Sequence, residues 1–293
     1  MERIAFIGFG EAGQTIGRGL LAQGAKLCAY DILFDDPANE GRLKRLAESL
    51  GVTASKSHTA AVKDAAIVFL AVTASSSLDA ARSCLPGLRK GQLFLDINSV
   101  SPQRKIETAA LVAPTGAAYA DVAVMAPVAP YDHKVPCLVG GPGAEALLPR
   151  ARALGMKMEF VSAEVGQASA IKMFRSIMIK GLEALVLESM LAASEYKVEE
   201  RVLASLKETF PSLDWEKLAG YMIERVVSHG KRRAAEMREV AETLKGIGLE
   251  PIMAAATAAR QQWLADLKVK ETLKARTEDR AELVRAIRKA IGK

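Results

Sequence analysis

Short apolar runs alternate with stretches of helical period through the first half of the chain. The runs cover residues 4–7, 27–30, 67–72, 93–97, 119–124, 136–139 and 158–161. Between most of them, as over 15–22 and 43–50, apolar positions recur every three or four residues. Such alternation predicts a parallel sheet with helices on both faces. The pattern changes near Glu164. No strand-like run follows, and long helical stretches succeed one another, broken near Pro211, between Gly246 and Pro251, and around Thr272. The expected division is an α/β domain over residues 1–163 and an all-helical domain over 164–293.

The first of these domains carries a nucleotide signature. The strand Ile4-Ala5-Phe6-Ile7 leads directly into Gly8-Phe9-Gly10-Glu11-Ala12-Gly13, and a helix pattern follows. This is G-x-G-x-x-G in the context it needs. The first glycine permits the tight turn, the second lets a pyrophosphate approach the backbone, and the third lets helix and strand pack closely. The helix N-terminus adds unpaired N–H groups and partial positive charge for the phosphates. The next apolar run ends at Asp31, where an acidic residue hydrogen-bonds the adenosine ribose and repels a 2′-phosphate. Between Ile32 and Glu40 there is no Arg or Lys to hold such a phosphate, so NAD is favoured over NADP. The first domain is therefore expected to be a doubly wound Rossmann-type sheet.

The helix from Gly166 onward is apolar nearly all round and is expected to be largely buried. Polar residues still recur at Ser169, Lys172, Ser176, Lys180 and Glu183, spaced to share one face, with Arg175 at its edge. That face is expected to meet the mouth of the nucleotide-binding sheet, because buried lysines are costly unless paired or lining a wet cleft. The competing explanation is structural: Lys172 and Lys180 snorkel to solvent or pair with Glu183.

Composition narrows the class without changing it. The chain has 293 residues, enough for two domains with separate cores, and half are hydrophobic. No apolar run reaches the roughly 18 residues of a membrane span, and no secretory signal opens the chain. Cys28, Cys84 and Cys137 are widely spaced, form no metal-site pattern, and suit a reducing cytoplasm as small buried residues. The net charge of +6 is spread among interleaved acids, which suits small anionic molecules better than nucleic acid. Two histidines compete as acid–base groups: His133, expected at the surface beside Asp132, and His229, beside a basic helical run. Trp215 and Trp263 are expected in packing roles.

With these motifs in this order, the chain resembles the β-hydroxyacid dehydrogenase superfamily, which includes 3-hydroxyisobutyrate and 6-phosphogluconate dehydrogenases. The resemblance spans nearly the whole chain. It implies that Gly8 to Gly13 form the dinucleotide loop, that Ala71-Val72-Thr73 contacts the cofactor ribose, and that Asp96-Ile97-Asn98-Ser99-Val100-Ser101-Pro102 lies near the nicotinamide. Gly166 and Lys172 resemble the family's G-x-x-x-x-x-K segment, whose lysine is catalytic. There are departures. The substrate loop reads Asp121-Val122-Ala123-Val124-Met125-Ala126-Pro127, without the family's serine and glycines. Arg175 replaces an asparagine, and the later K-D segment falls near Ala235-Glu236, just after Lys231-Arg232-Arg233. These changes resemble a 6-phosphogluconate-dehydrogenase-like branch with its own C-terminal domain, which includes a phenylserine dehydrogenase.

What the resemblance implies is an NAD-dependent enzyme acting on a CH–OH group, with a 3-hydroxy acid or a β-hydroxy amino acid of the phenylserine kind as substrate. Lys172 is the expected acid–base catalyst. Asn98, Ser99, Met125, Arg175, Ser176 and Arg232 are expected substrate contacts, Asn98 also touches the cofactor, and no metal is required. A cytoplasmic homodimer is expected. An imine reductase of the same fold and a non-catalytic nucleotide-binding regulator are the competing classes.

Overall fold

The computed structural model describes residues 2–39 and 41–292. Glu40, at the end of the loop after Asp31, lies outside them. By internal packing the chain forms two compact units, one running through Lys172 and the other beginning at Met173.

The first unit is a sheet of eight strands among the described residues: β1 (Arg3–Ile7), β2 (Lys26–Tyr30), β3 (Thr53–Ala54), β4 (Ile67–Leu70), β5 (Leu93–Asp96), β6 (Ala118–Val124), β7 (Cys137–Gly140) and β8 (Met158–Ser162). Their order is β3-β2-β1-β4-β5-β6-β7-β8. The helices between them are α1 (Glu11–Ala22), α2 (Arg42–Ser49), α3 (His58–Val62), α4 (Ser77–Cys84), α5 (Pro102–Val112) and α6 (Ala144–Ala153). The six-strand portion has the Rossmann order, with crossovers in both directions from β1.

Successive strand residues point to opposite faces, so both faces must be apolar if both are covered. Ile4 and Phe6 join Leu27, Ile67, Phe69 and Leu95 in one core layer. Ala5 and Ile7 join Cys28, Val68, Leu70 and Phe94 in the other. The sheet departs from the expected all-parallel arrangement in one place. β6 and β7 pair antiparallel, with Val124 opposite Cys137. Their connection, residues 125–136, contains no crossover helix, and a return of that kind sets neighbouring strands antiparallel.

Helix α7 (Gln167–Tyr196) is one continuous element whose first residues belong to the first unit. The second unit contains its remainder with α8 (Glu199–Thr209), α9 (Trp215–Gly246), α10 (Ile252–Asp266), α11 (Val269–Thr272) and α12 (Arg280–Ala290). Asp214 caps α9 by accepting from the Lys217 amide at 3.2 Å. Leu187, Met190, Trp215, Ile223, Val226, Leu264 and Ile287 form the main core of this unit, and Met173, Met237, Val240 and Ala258 a smaller one. Trp215 is thus a packing residue. Trp263 packs at the margin, with the Arg260 guanidinium 4.9 Å from its ring centroid.

Two expectations need correction. α7 is not buried all round: Ile171, Phe174, Met178, Ile179 and Leu185 are exposed. An apolar face shows what a helix can bury, and among the described residues these five side chains stay exposed. His133 is not at the surface either. It is only 5% exposed and packs against α1, where a side chain at Gly19 would collide with its ring.

Candidate active site

The glycine loop joins β1 to α1. Gly8 has φ +89°, and a Cβ there would run into the Ala71 carbonyl group, 2.8 Å from its carbon. A Cβ on Gly13 would lie 2.7 Å from the Gly8 carbonyl oxygen. Gly10 differs: a Cβ there would meet nothing within 4 Å. Protein packing therefore requires the first and third glycines, while the second faces open space at the start of α1. Gly10 caps that helix without a side-chain bond, so the amides of Glu11, Ala12 and Gly13 have no intrahelical acceptor. A diphosphate suits those donors. Glu11 is exposed in the first turn, and Ala12 is half-buried. The Phe9 side chain is fully buried against Phe6, so only its backbone serves the loop.

That backbone positions the acidic residue. The Phe9 amide donates to Asp31 Oδ2 at 2.7 Å, and the Leu33 amide donates to Asp31 Oδ1 at 2.9 Å. Two N–H groups hold the carboxylate at the end of β2, with lone pairs left for ribose hydroxyls. The loop, the free amides and this carboxylate together fit a dinucleotide.

The path continues across the ends of the strands. The Ala71-Val72-Thr73 segment follows β4 and lies against Gly8. The Val72 amide donates to Asn98 Oδ1 at 2.9 Å. Asn98 is buried, and its amide nitrogens, backbone and side chain, both donate to Asp96 Oδ1, at 3.0 and 2.8 Å. Ser99, the next residue, is exposed, and half-buried Lys172 donates from Nζ to Ser99 Oγ at 2.8 Å. Asn98, Ser99 and Lys172 are thus brought together at the ends of β4 and β5. Thr73 is exposed and donates from Oγ1 to Ser76 Oγ at 3.0 Å. Met125 is half-buried just beyond β6, its amide donating to the Pro136 carbonyl at 2.9 Å.

The expected polar stripe of α7 does not act as one surface. Ser169 donates from Oγ to Asp121 Oδ1 at 2.5 Å in the first unit. In the second unit Lys180 pairs with Glu236 at 2.7 Å, and Glu183 pairs with Arg233 at 2.8 Å. Lys180 and Glu183 are therefore core ion pairs within the helical bundle, each with a partner on α9, and not with each other. Burial alone would raise the Glu236 carboxyl, but Lys180 and Arg232 together hold it below the usual range. Arg175 is exposed on α7 and Ser176 is half-buried. Arg232 is exposed and ion-paired to Glu236. His229 is pushed down to about 4, by burial first and then by Arg225 and Arg232. The His133 imidazole is also pushed down, by burial and then by Lys134. Among the described residues no cluster of His, Cys, Asp and Glu is arranged to hold a metal ion, and no helix is long and apolar enough to cross a membrane.

Sequence reasoning missed Lys105. It is fully buried and pairs with Asp96 at 2.9 Å and with Asp121 at 3.6 Å. A signal was present, since Lys105, Thr108 and Val112 share the buried face of α5.

A Rossmann-type sheet with this loop, followed by a helical unit, defines the nicotinamide-dependent oxidoreductase fold. Residues 3–99 match the family described as NADP oxidoreductase, coenzyme F420-dependent, and residues 193–264 match the domain of unknown function DUF1932. A conserved hypothetical protein from Sinorhizobium meliloti 1021 is 39% identical, with a TM-score of 0.85 over 99% of this chain and 97% of that one. The conserved protein MTH1747, whose structure is described as similar to 3-hydroxyacid dehydrogenases, is 29% identical, with a TM-score of 0.76 over 90% of this chain and 97% of its own. The Mycobacterium tuberculosis 3-hydroxyisobutyrate dehydrogenase shares the fold at 17% identity, with a TM-score of 0.72 over 98% and 99%. The chain shares its fold with 3-hydroxyacid dehydrogenases.

Proposed function

We propose that the protein is an NAD-dependent dehydrogenase that oxidises the hydroxyl of a 3-hydroxy acid or β-hydroxy amino acid, with Lys172 as the acid–base group. The observation that carries this reading is the Lys172–Ser99 hydrogen bond, one residue from Asn98 and linked through Val72 to the glycine loop. When bound, the nicotinamide would accept or supply hydride. Gly8 to Gly13, Asp31 and the Ala71-Val72-Thr73 segment would hold the dinucleotide.

A substrate hydroxyl beside Ser99 would lie within reach of the Lys172 amine, which takes its proton in oxidation and returns it in reduction. Ser99 keeps the amine directed while its own hydroxyl proton remains free for the substrate oxygen. Asn98 holds its register through Asp96 and Val72. For the substrate carboxylate, Arg175 is the first choice, because Arg232 already has Glu236 as its partner. Met125 would add apolar wall, which suits a larger or aromatic side chain of the phenylserine kind. Ser176 would be a secondary polar contact.

The test is NAD reduction against a panel of 3-hydroxy acids and β-hydroxy amino acids, run beside an imine panel. Turnover of at least one hydroxy substrate is expected, with Arg175→Ala raising KM at least tenfold. Reduction of imines alone, or binding of NADH without turnover on either panel, would rule the reading out.

Two further expectations belong to it. NAD(H) should bind at least about tenfold more tightly than NADP(H), a gap of roughly 1.4 kcal/mol, because the Asp31 carboxylate repels a 2′-phosphate. Titration of each cofactor against tryptophan fluorescence measures this, and Asp31→Ala should narrow the gap. Equal binding by the unaltered protein defeats the assignment. The protein should also be a homodimer that covers the exposed face of α7, where Ile171, Phe174, Met178 and Leu185 follow one another at helical spacing. A monomer by light scattering at micromolar concentration would contradict that.

A further inference from the structure

Beneath the Lys172–Ser99 pair lies a closed network of charge. Lys105 on α5 is fully buried, as are Asp96 on β5 and Asp121 on β6. Its Nζ pairs with Asp96 Oδ1 at 2.9 Å and Asp121 Oδ1 at 3.6 Å, and donates to the Asp96 carbonyl at 2.6 Å. Tyr119 donates from its hydroxyl to Asp96 Oδ2 at 2.9 Å. Two carboxylates against one ammonium leave a net negative charge, which backbone donors meet. The Gly166 and Ser169 amides both donate to Asp121 Oδ2 at 3.1 Å, and Ser169 Oγ donates to Oδ1.

Well-packed apolar residues often replace a buried ion cluster without loss of stability. Stability alone therefore accounts poorly for three ionised groups in this core. What the cluster does is geometric, and its two carboxylates lead to the two ends of one hydrogen bond. Asp96 fixes Asn98 and so the backbone entering Ser99. Asp121 ties the first turn of α7 to β6 and so sets the helix that carries Lys172. Lys105 holds the two carboxylates together.

We propose that Lys105, Asp96 and Asp121 are positioning residues that set the Lys172 amine against Ser99, with Ser169 as the link from Asp121 to α7. The proposal rests on Lys172 being the acid–base group. The network makes the register of α7 depend on the ends of β5 and β6. It also explains why a strand residue, Asp121, serves as the acceptor at the start of a helix distant in sequence.

The test uses Asp121→Ala and Ser169→Ala in the full chain, with Ser169→Thr and Lys172→Ala beside them. Crystal structures of the first two should show Lys172 Nζ withdrawn from Ser99 Oγ beyond the about 3.2 Å limit of a hydrogen bond. Turnover should fall at least thirtyfold in Asp121→Ala and three- to tenfold in Ser169→Ala, with NADH affinity within threefold of the unaltered protein. Ser169→Thr, which returns the hydroxyl, should recover most of the loss. A Lys172–Ser99 bond retained in both alanine variants overturns the proposal. Should Asp121→Ala not fold, the Ser169→Ala structure decides alone. Normal turnover by Lys172→Ala refutes the acid–base reading instead, and leaves the structural comparison to judge the positioning network separately.

Discussion

Lys172→Ala is expected to lower kcat by about 10²–10⁴-fold, the usual contribution of a positioned proton-transfer group. In barrier terms this is about 3–5 kcal/mol. The amine is the basic group held against Ser99, and Ser99 alone has no proton affinity near neutral pH that could replace it. Lys172→Arg should fail as well: it keeps the positive charge, but a guanidinium does not release its proton in this range. NADH should bind both variants normally, since the loop from Gly8 to Gly13 and Asp31 are untouched. Steady-state kinetics with a substrate found in the panel, set against fluorescence titration of NADH, separates the two effects. A folded, NADH-binding Lys172→Ala protein with near-normal turnover would remove Lys172 from the chemistry. The proton donor would then have to be sought elsewhere, but not at Lys180, which is committed to Glu236.

The second large effect concerns two glycines only two residues apart. Gly8→Ala is expected to destabilise the protein by about 2–5 kcal/mol, combining a left-handed backbone with overlap against a carbonyl that cannot move aside. The melting temperature should fall by on the order of 10 °C. Gly10→Ala should leave melting almost unchanged, because its methyl group meets no protein atom within 4 Å. Its cost should appear in NADH affinity, where the methyl group would stand between the diphosphate and the amides at the start of α1. Calorimetry and NADH titration of the two variants should therefore give opposite profiles. Similar losses of stability in both would mean that Gly10 is a packing glycine, and the loop would lose its strongest mark of a ligand site.

Much of this fold was legible because its strands are apolar on both faces and its turns carry glycine. The short strand β3, two residues long, has no alternation to detect and joins the sheet by pairing with β2. The polar stripe of α7 was read correctly as periodicity and incorrectly as one surface. From Ser169 to Glu183 it runs about 21 Å at 1.5 Å per residue, longer than a single small-molecule site. Its lower half therefore meets Asp121 and Ser99, and its upper half pairs with α9. His133 looked like surface because Asp132 and Lys134 flank it. What buries it is the space left by Gly19, far away in sequence. Lys105 was invisible for the same reason: its meaning lies in two carboxylates on separate strands, and a linear pattern does not show which residues a sheet brings together.

The chain's three cysteines all lie in the first unit, buried and free. Cys28 and Cys84 sit in the layer on one face of the sheet and Cys137 in the layer on the other. Burial pushes Cys84 and Cys137 up to about 12, so neither offers a thiolate to solvent while its layer stays closed. The helical unit contains no thiol at all. The molecule thus carries its own reporter of local opening. The rate at which an alkylating reagent marks each cysteine, read by peptide mass, times the exposure of one face of the sheet or the other. Unfolding confined to the helical bundle would leave all three unmarked.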